Sequence, residues 1–184
     1  MFRYIVFDTE TPNFRNDSIC SIGISVVEGG RITQERYDLV NPEAHFDSFN
    51  VQLHGIAPEM VKDAKIFPDV WEELAPLMAS GVLIAHNAPF DLGVLSKLFY
   101  RYGIEKEAAS YGCTVQMGRK FLPNASHHKL NTLCDLLQIP LNHHNAASDS
   151  HACAELLCYY LAMGFPVEEQ IKKWDYHKNP PRRW

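Results

Sequence analysis

A chain of 184 residues, 46% hydrophobic and 21% charged, fits one globular domain with a buried core. Its formal net charge of −5 and pI near 6.0 argue against a broad basic face of the kind that grips long duplex, so any nucleic acid would be held locally. The five cysteines, Cys20, Cys113, Cys134, Cys153 and Cys158, are odd in number and lack a CxxC spacing. Reduced thiols explain them better than a disulfide framework or a zinc site shared with the histidines.

Met1 to Asp8 carries no signal-peptide core or cleavage site. No apolar run approaches the ~20 residues that span a bilayer. A soluble, cytoplasmic protein without a membrane contact is expected.

Tyr4-Ile5-Val6-Phe7 is a short strand that stops at carboxylates. Ile19 to Val27 is rich in β-branched residues, Glu28-Gly29-Gly30 turns, and Arg31 to Val40 resumes with alternation. This predicts a hairpin beside the first strand. Asp69 to Ser80 places Val70, Leu74, Leu77 and Met78 at helical spacing, with Pro76 inside and Gly81 as the stop signal. Val82 to Ala85 reads as a buried strand. Helices are expected over Asp91 to Tyr102, Leu130 to Gln138 and Asp149 to Met163. Lys172 to Trp184 is polar, basic and Pro-bearing, which predicts a loosely ordered tail. A meander followed by alternating helices and strands is an α/β domain with a central sheet.

Acidic residues stand at the ends of several of these elements. Asp8 and Glu10 are two apart on a strand, so both carboxylates face the same side. Asp91 follows the strand Val82–Ala85, and Asp149 opens the last long helix. Taken singly, Asp91 and Asp149 are ordinary acidic residues favoured at helix N-termini. Asp8 and Glu10 are harder to dismiss, because neighbouring charges at a buried strand repel unless something neutralises them. Oxygen-only ligands suit magnesium or manganese. Four carboxylates from separate segments can hold two such ions and clamp the attacking and leaving oxygens of a phosphoryl displacement. His144, five residues before Asp149, has the pKa range of a general base near neutral pH, with His143 as its competitor. His127 and His128 form another pair, read as surface histidines near a loop.

The segments Phe7-Asp8-Thr9-Glu10-Thr11, Ala85-His86-Asn87-Ala88-Pro89-Phe90-Asp91-Leu92-Gly93-Val94-Leu95 and His144-Asn145-Ala146-Ala147-Ser148-Asp149-Ser150-His151 resemble, in order and spacing, the three motifs of the DnaQ-like exonucleases, DEDDh branch. That branch includes the proofreading epsilon subunit of bacterial DNA polymerase III, ribonuclease T and oligoribonuclease. The similarity runs from about Phe2 to Leu161 and takes in Asn41-Pro42, His54-Gly55-Ile56 and Tyr111 to Thr114. Asn145 stands where the sister branch carries a tyrosine.

The resemblance implies a ribonuclease H-like fold, a five-stranded mixed sheet flanked by helices, with an exonuclease domain over residues 1–165 and a short basic tail over 166–184. It implies release of nucleoside monophosphates from 3′ ends, with two Mg²⁺ or Mn²⁺ ions. Asp8 would bridge both ions, Glu10 and Asp149 would complete the tighter site, Asp91 would serve the second, and His144 would be the base. Thr9, Thr11, His54, Asn87 and Phe90 would meet the terminal nucleotide. Lys172, Lys173, Lys178, Arg182 and Arg183 form a basic cluster that is either a solvated tail or a phosphate contact. The expected partner is a nucleic acid 3′ end, DNA or RNA, and the overall acidity points to a short or single-stranded one. A polymerase partner, which would make the chain a proofreading or adaptor subunit docking through Pro166 to Trp184, is the alternative. A homodimer stays open, since ribonuclease T and oligoribonuclease are dimers.

Overall fold

A computed structural model describes residues 2–106 and 108–177 of the chain. Strand β1 (Arg3–Glu10) is followed by the hairpin β2 (Ser21–Glu28) and β3 (Arg31–Leu39). Helices α1 (Ser48–His54), α2 (Pro58–Val61) and α3 (Phe67–Met78) lead to β4 (Val82–Ala85), α4 (Pro89–Tyr102), β5 (Ala108–Cys113) and α5 (Thr114–Phe121). Helices α6 (Leu130–Leu137) and α7 (Ala146–Ala162), a 3₁₀ turn at Val167–Gln170 and β6 (Lys172–Asp175) complete the order. The strands form one sheet in the order β3-β2-β1-β4-β5-β6. β1, β4 and β5 run parallel; β2, β3 and β6 are antiparallel to their neighbours.

The sheet is six-stranded, not five-stranded. The sixth strand comes from the segment expected to be a loose tail. Its aromatic residues explain the difference. Trp174 lies edge-on against Tyr111 and donates its indole N–H to Ser96 Oγ at 3.0 Å, while Tyr176 is buried against Phe99. Burying two such rings repays the ordering of a few lysine-bearing residues. Lys172 and Lys173 lie on β6; Lys178, Arg182 and Arg183 lie outside the described residues.

Alternation along β1 sorts the core into two layers. Ile5 and Phe7 pack with Leu74 of α3 and with Leu92 and Leu95 of α4. Tyr4 and Val6 face Leu156, Leu157 and Tyr160 of α7. The helices depart from expectation mainly at their ends. α3 ends at Met78 with Ala79 as its C-cap, two residues ahead of Gly81 and just past Pro76. α7 starts at Ala146, because Asn145 caps it by accepting the Ser148 N–H at 3.1 Å. Among the described residues no helix is long and apolar enough to cross a membrane.

Gly23 brings α7 against the sheet. It is paired with Asp8 across β1 and β2, and a Cβ built on it would lie 2.0 Å from the Ala146 carbonyl oxygen. The N-terminus of α7 can rest there only because the strand has no side chain at that point. Gly23→Ala should therefore lift the start of α7 and with it Asp149. The expected loss is ~3 kcal/mol or more in urea denaturation; a change under ~0.5 kcal/mol would show that the contact does not position the helix.

Candidate active site

The C-terminal ends of the parallel strands β1 and β4 open onto one crevice, the place where open α/β sheets bind ligands. Asp8 and Glu10 point from β1 toward the α7 layer, and Asp149 comes to meet them from the first turn of α7. One carboxylate oxygen of each of Asp8, Glu10 and Asp149 lies within 4.8 Å of the others. Glu10 and Asp149 are buried and Asp8 is half-buried. Thr9, between the two β1 acids, faces the opposite layer. It donates both its N–H, at 3.1 Å, and its hydroxyl, at 2.8 Å, to Oδ1 of Asp91. The strand's alternation thus collects all four carboxylates at one end, three from the α7 side and Asp91 from the α4 side.

Burial, followed by Asp91, Glu10 and Asp149, pushes the Asp8 carboxyl well above its usual range. Glu10 is pushed up to about 8 by burial and then by Asp149 and Asp91. Asp91 rises to about 7 by burial, against the lowering effect of its Thr9 hydrogen bonds. Such a set holds its protons unless positive charge arrives. An all-oxygen, carboxylate-only donor set fits a hard divalent cation and does not fit zinc bound by thiolates. The described cysteines stand outside every metal-competent cluster among the described residues.

The loop before α7 supplies two imidazoles. The His144 backbone N–H donates to Asp149 Oδ2 at 2.8 Å, and His143 Nδ1 meets Asp149 Oδ1 at 3.1 Å. The two rings stack with centroids 3.9 Å apart. His144 has φ of 65° and Asn87, in the loop after β4, has φ of 69°. Left-handed backbone at a non-glycine residue costs roughly 1 kcal/mol or more, and such strain collects at functional sites. Burial and the neighbouring His143 lower the His144 pKa, against a raising effect of Asp149. His144 therefore stands neutral near pH 7, as a proton acceptor must.

The residues expected at the terminal nucleotide are grouped, but most of their polar atoms already have partners. The Thr9 hydroxyl is committed to Asp91, and the Thr11 hydroxyl donates to Asn16 Oδ1 at 3.0 Å. His54 Nδ1 accepts the Ile56 N–H at 3.0 Å, so its Nε2 carries the proton and donates to the Thr11 carbonyl at 3.2 Å. Asn50 donates to the same carbonyl at 2.9 Å. Phe90 and Asn87 are exposed beside the acids. Two further aromatics went unnoticed in the sequence: Phe14 and Phe49 are exposed and stack with centroids 5.4 Å apart. Phe49 and Leu53 at helical spacing just before His54 were the signal for α1.

The expected surface pair His127 and His128 also lines this crevice, as does His86. Carbonyl oxygens only accept, so His86 Nε2–H donates to the His128 carbonyl at 3.1 Å, and Nδ1 receives the Thr114 hydroxyl at 2.9 Å. Burial pushes His86 down to about 4, which keeps it neutral in this structural role.

A mixed sheet with a hairpin first, parallel strands after it, and carboxylates gathered at their ends is the ribonuclease H-like arrangement of a metal-dependent nuclease. The family model described as RNase_T, exonuclease, matches residues 5–157, and the chain belongs to that DnaQ-like exonuclease family, a group of 3′→5′ hydrolases. It is 35% identical over 157 residues to the PolC-type DNA polymerase III of Oceanobacillus iheyensis, a match covering 84% of this chain and 11% of the polymerase. It is 29% identical over 183 residues to the 3′-5′ exonuclease DinG of Bacillus subtilis, covering 95% of this chain and 20% of that one. The chain thus spans only a small part of these relatives. Among solved structures, exonuclease X in complex with 5′ overhanging duplex DNA superposes with a TM-score of 0.72 at 25% identity, covering 92% of this chain and 97% of that one. The nuclease domain of 3′hExo, a DEDDh family member bound to rAMP, superposes at 0.78 with 16% identity, covering 92% and 96%, and shares the fold.

A pH dependence follows from the raised carboxyls. Above their ordinary range the unfolded state ionises while the folded state still holds protons. Stability of the metal-free protein therefore falls as pH rises from about 4 through about 8. Thermal unfolding in EDTA should give a lower Tm at pH 8 than at pH 5.5, with a weaker fall in Asp8→Asn. Adding Mn²⁺ to ~100 times its Kd at pH 8 should restore ~2.7 kcal/mol. A Tm indifferent to cation would remove the metal reading of this cluster.

Proposed function

We propose that this chain removes nucleoside monophosphates one at a time from the 3′ end of single-stranded DNA, with two Mg²⁺ or Mn²⁺ ions. The convergence of Asp8, Glu10 and Asp149 within 4.8 Å, beside two imidazoles, carries this reading. Asp8, Glu10 and Asp149 would hold one ion and Asp8 and Asp91 the other. When bound, the ions supply positive charge for the phosphate oxygens and an acidified water.

The protein's own groups do the rest. Hydrolysis joins a water oxygen to phosphorus and breaks the bond to the 3′ oxygen of the preceding nucleotide. His144 takes the proton from that water. His143 and the His144 N–H fix the orientation of Asp149. Thr9 fixes Asp91. His54 and Asn50 fix the Thr11 carbonyl beside the terminal nucleotide, and exposed Phe90 offers it an apolar face. The choice of DNA rests on relatives named as PolC-type DNA polymerases.

A 5′-labelled DNA oligomer incubated with Mg²⁺ should yield a 3′ ladder that EDTA abolishes. His144→Ala should lower kcat ~100-fold or more, and His143→Ala less, ~10-fold, as expected for a partner of a metal ligand. Matched RNA should be cut more slowly. Absence of cleavage of either polymer would sink the reading, and faster RNA cleavage would reverse the choice of sugar.

The PolC matches favour a second reading of the biological setting, in which the same activity serves a polymerase as its proofreader. Excision from a mismatched primer end should then exceed excision from a paired end, and the protein should co-purify with a polymerase. Equal rates and no association would leave a stand-alone nuclease.

A further inference from the structure

The crevice continues well beyond the carboxylates, into a cavity of about 780 Å³. Asp8, Asp149, His143 and His144 line it together with Arg119 of α5 and Lys129, just ahead of α6. Both cations are exposed, and neither has an acidic or carbonyl partner among the described residues. Arg31, Lys106 and Lys173 also lack such a partner, but none of them lines this cavity. Arg3, Arg15, Arg36, Lys62 and Lys65 are each paired with a carboxylate, and Lys97, Lys120 and Lys172 each donate to an oxygen. In a protein of net charge −5, two unpaired cations facing one cavity make a local anion site.

The backbone beneath these cations is closely packed and hydrogen-bonded. A Cβ on Gly118 would come within 3.0 Å of the Tyr160 hydroxyl, 3.2 Å of Leu133 and 3.3 Å of the His128 ring. The missing side chain therefore lets α5, α6 and the loop between them close together beside Arg119. That loop is tied twice: His86 Nε2–H donates to the His128 carbonyl, and His128 Nε2–H donates to the Leu122 carbonyl at 3.1 Å. His86 is in turn held by Thr114, whose hydroxyl lies 3.4 Å from the thiol of core residue Cys153. Lys129 is thereby referenced to the same helix, α7, that carries Asp149.

Thr11, His54, Phe14 and Phe49 do not line this cavity. Of the five residues expected at the terminal nucleotide, Asn87 alone lines it. We propose that Arg119 and Lys129 form a ledge that grips backbone phosphates of the substrate strand on the 5′ side of the bond being cut. The ledge rests on the exonuclease reading for its role, and on geometry for its existence. It makes binding depend on strand length: a substrate must reach past the scissile phosphate to touch it.

Two measurements test this separately. With Ca²⁺ in place of Mg²⁺, anisotropy of a labelled single-stranded DNA 12-mer reports binding without turnover. Arg119→Ala/Lys129→Ala should weaken it ~30-fold and flatten the slope of log K against log salt by about 1.4, the value for two lost contacts to a single strand. Arg31→Ala, an exposed change at the start of β3 and outside the cavity lining, should leave both alone. In Mg²⁺, the double variant should raise KM for the 12-mer while kcat falls less than threefold, and Gly118→Ala should raise KM in the same way. Unchanged binding and salt slope in the double variant would overturn the ledge. An equal loss of kcat with unchanged KM would assign the cations to the chemical step and overturn it too. A weakened, salt-flattened binding in a protein that cuts nothing would sustain the ledge while overturning the exonuclease reading.

Discussion

Mutual repulsion among Asp8, Glu10, Asp91 and Asp149 is the constraint around which the rest of the molecule is arranged. Carboxylates at the end of a buried strand tend to neutralise themselves by taking up protons, and the raised pKa values of three of them express that tendency. The protein offsets the repulsion only in part. Thr9 gives two hydrogen bonds to Asp91, and Asp149 receives the His144 N–H and the His143 ring. Asp91 and Asp149 also sit in the first turns of α4 and α7, where helix dipoles favour negative charge. What remains is a surplus of negative charge that a divalent cation would remove. The fold thus stores, in the metal-free state, free energy that binding of such a cation would release.

Holding that surplus requires the backbone to be fixed from both sides of the sheet. β1 can present Asp8 and Glu10 to one layer and Thr9 to the other because it is buried on both faces and flanked by β2 and β4. Gly23 lets α7 approach one face to backbone contact. At the crevice the chain enters left-handed conformation at Asn87 and at His144, each two residues before its helix, α4 and α7. Two strained loops beside one cluster are tolerable only because the sheet and the two helices over-determine them.

The parts of this arrangement that were legible in the sequence share a property: their signal is local. Asp8 and Glu10 end a hydrophobic run, Val82–Ala85 is a continuous apolar strand, and the β2–β3 hairpin announces itself by β-branched residues around Gly29-Gly30. The missed elements depend on tertiary context. β5, Ala-Ala-Ser-Tyr-Gly-Cys, has little strand propensity and exists because β4 and β6 pair with it on both sides. β6 reads as a charged tail unless Trp174 and Tyr176 are given something to pack on. α5 contains Gly118, a poor helix former that is present because α6 and His128 crowd that face. The same holds in the site. The family resemblance pointed to His54, Thr9 and Thr11, but only the folded structure reveals that their donors are spent on Thr11, Asp91 and Asn16.

Net charge was the least informative bulk property and, once located, one of the more useful. A value of −5 argues against a broad basic face, and the carboxylate end of the crevice would by itself repel a polyanion. A nuclease built this way needs attraction close to the acids but not among them, because a cation placed against Asp8 or Asp149 would compete with the metal for the same oxygens. Arg119 and Lys129 satisfy both conditions: they line the cavity that the acids line, yet neither forms an ion pair with them. The chain of hydrogen bonds from Cys153 through Thr114 and His86 to the His128 carbonyl keeps Lys129 there. A neutral His86 suits that task, since a charged imidazole at this point would add a third cation to the carboxylate end and blur a separation that the rest of the site maintains.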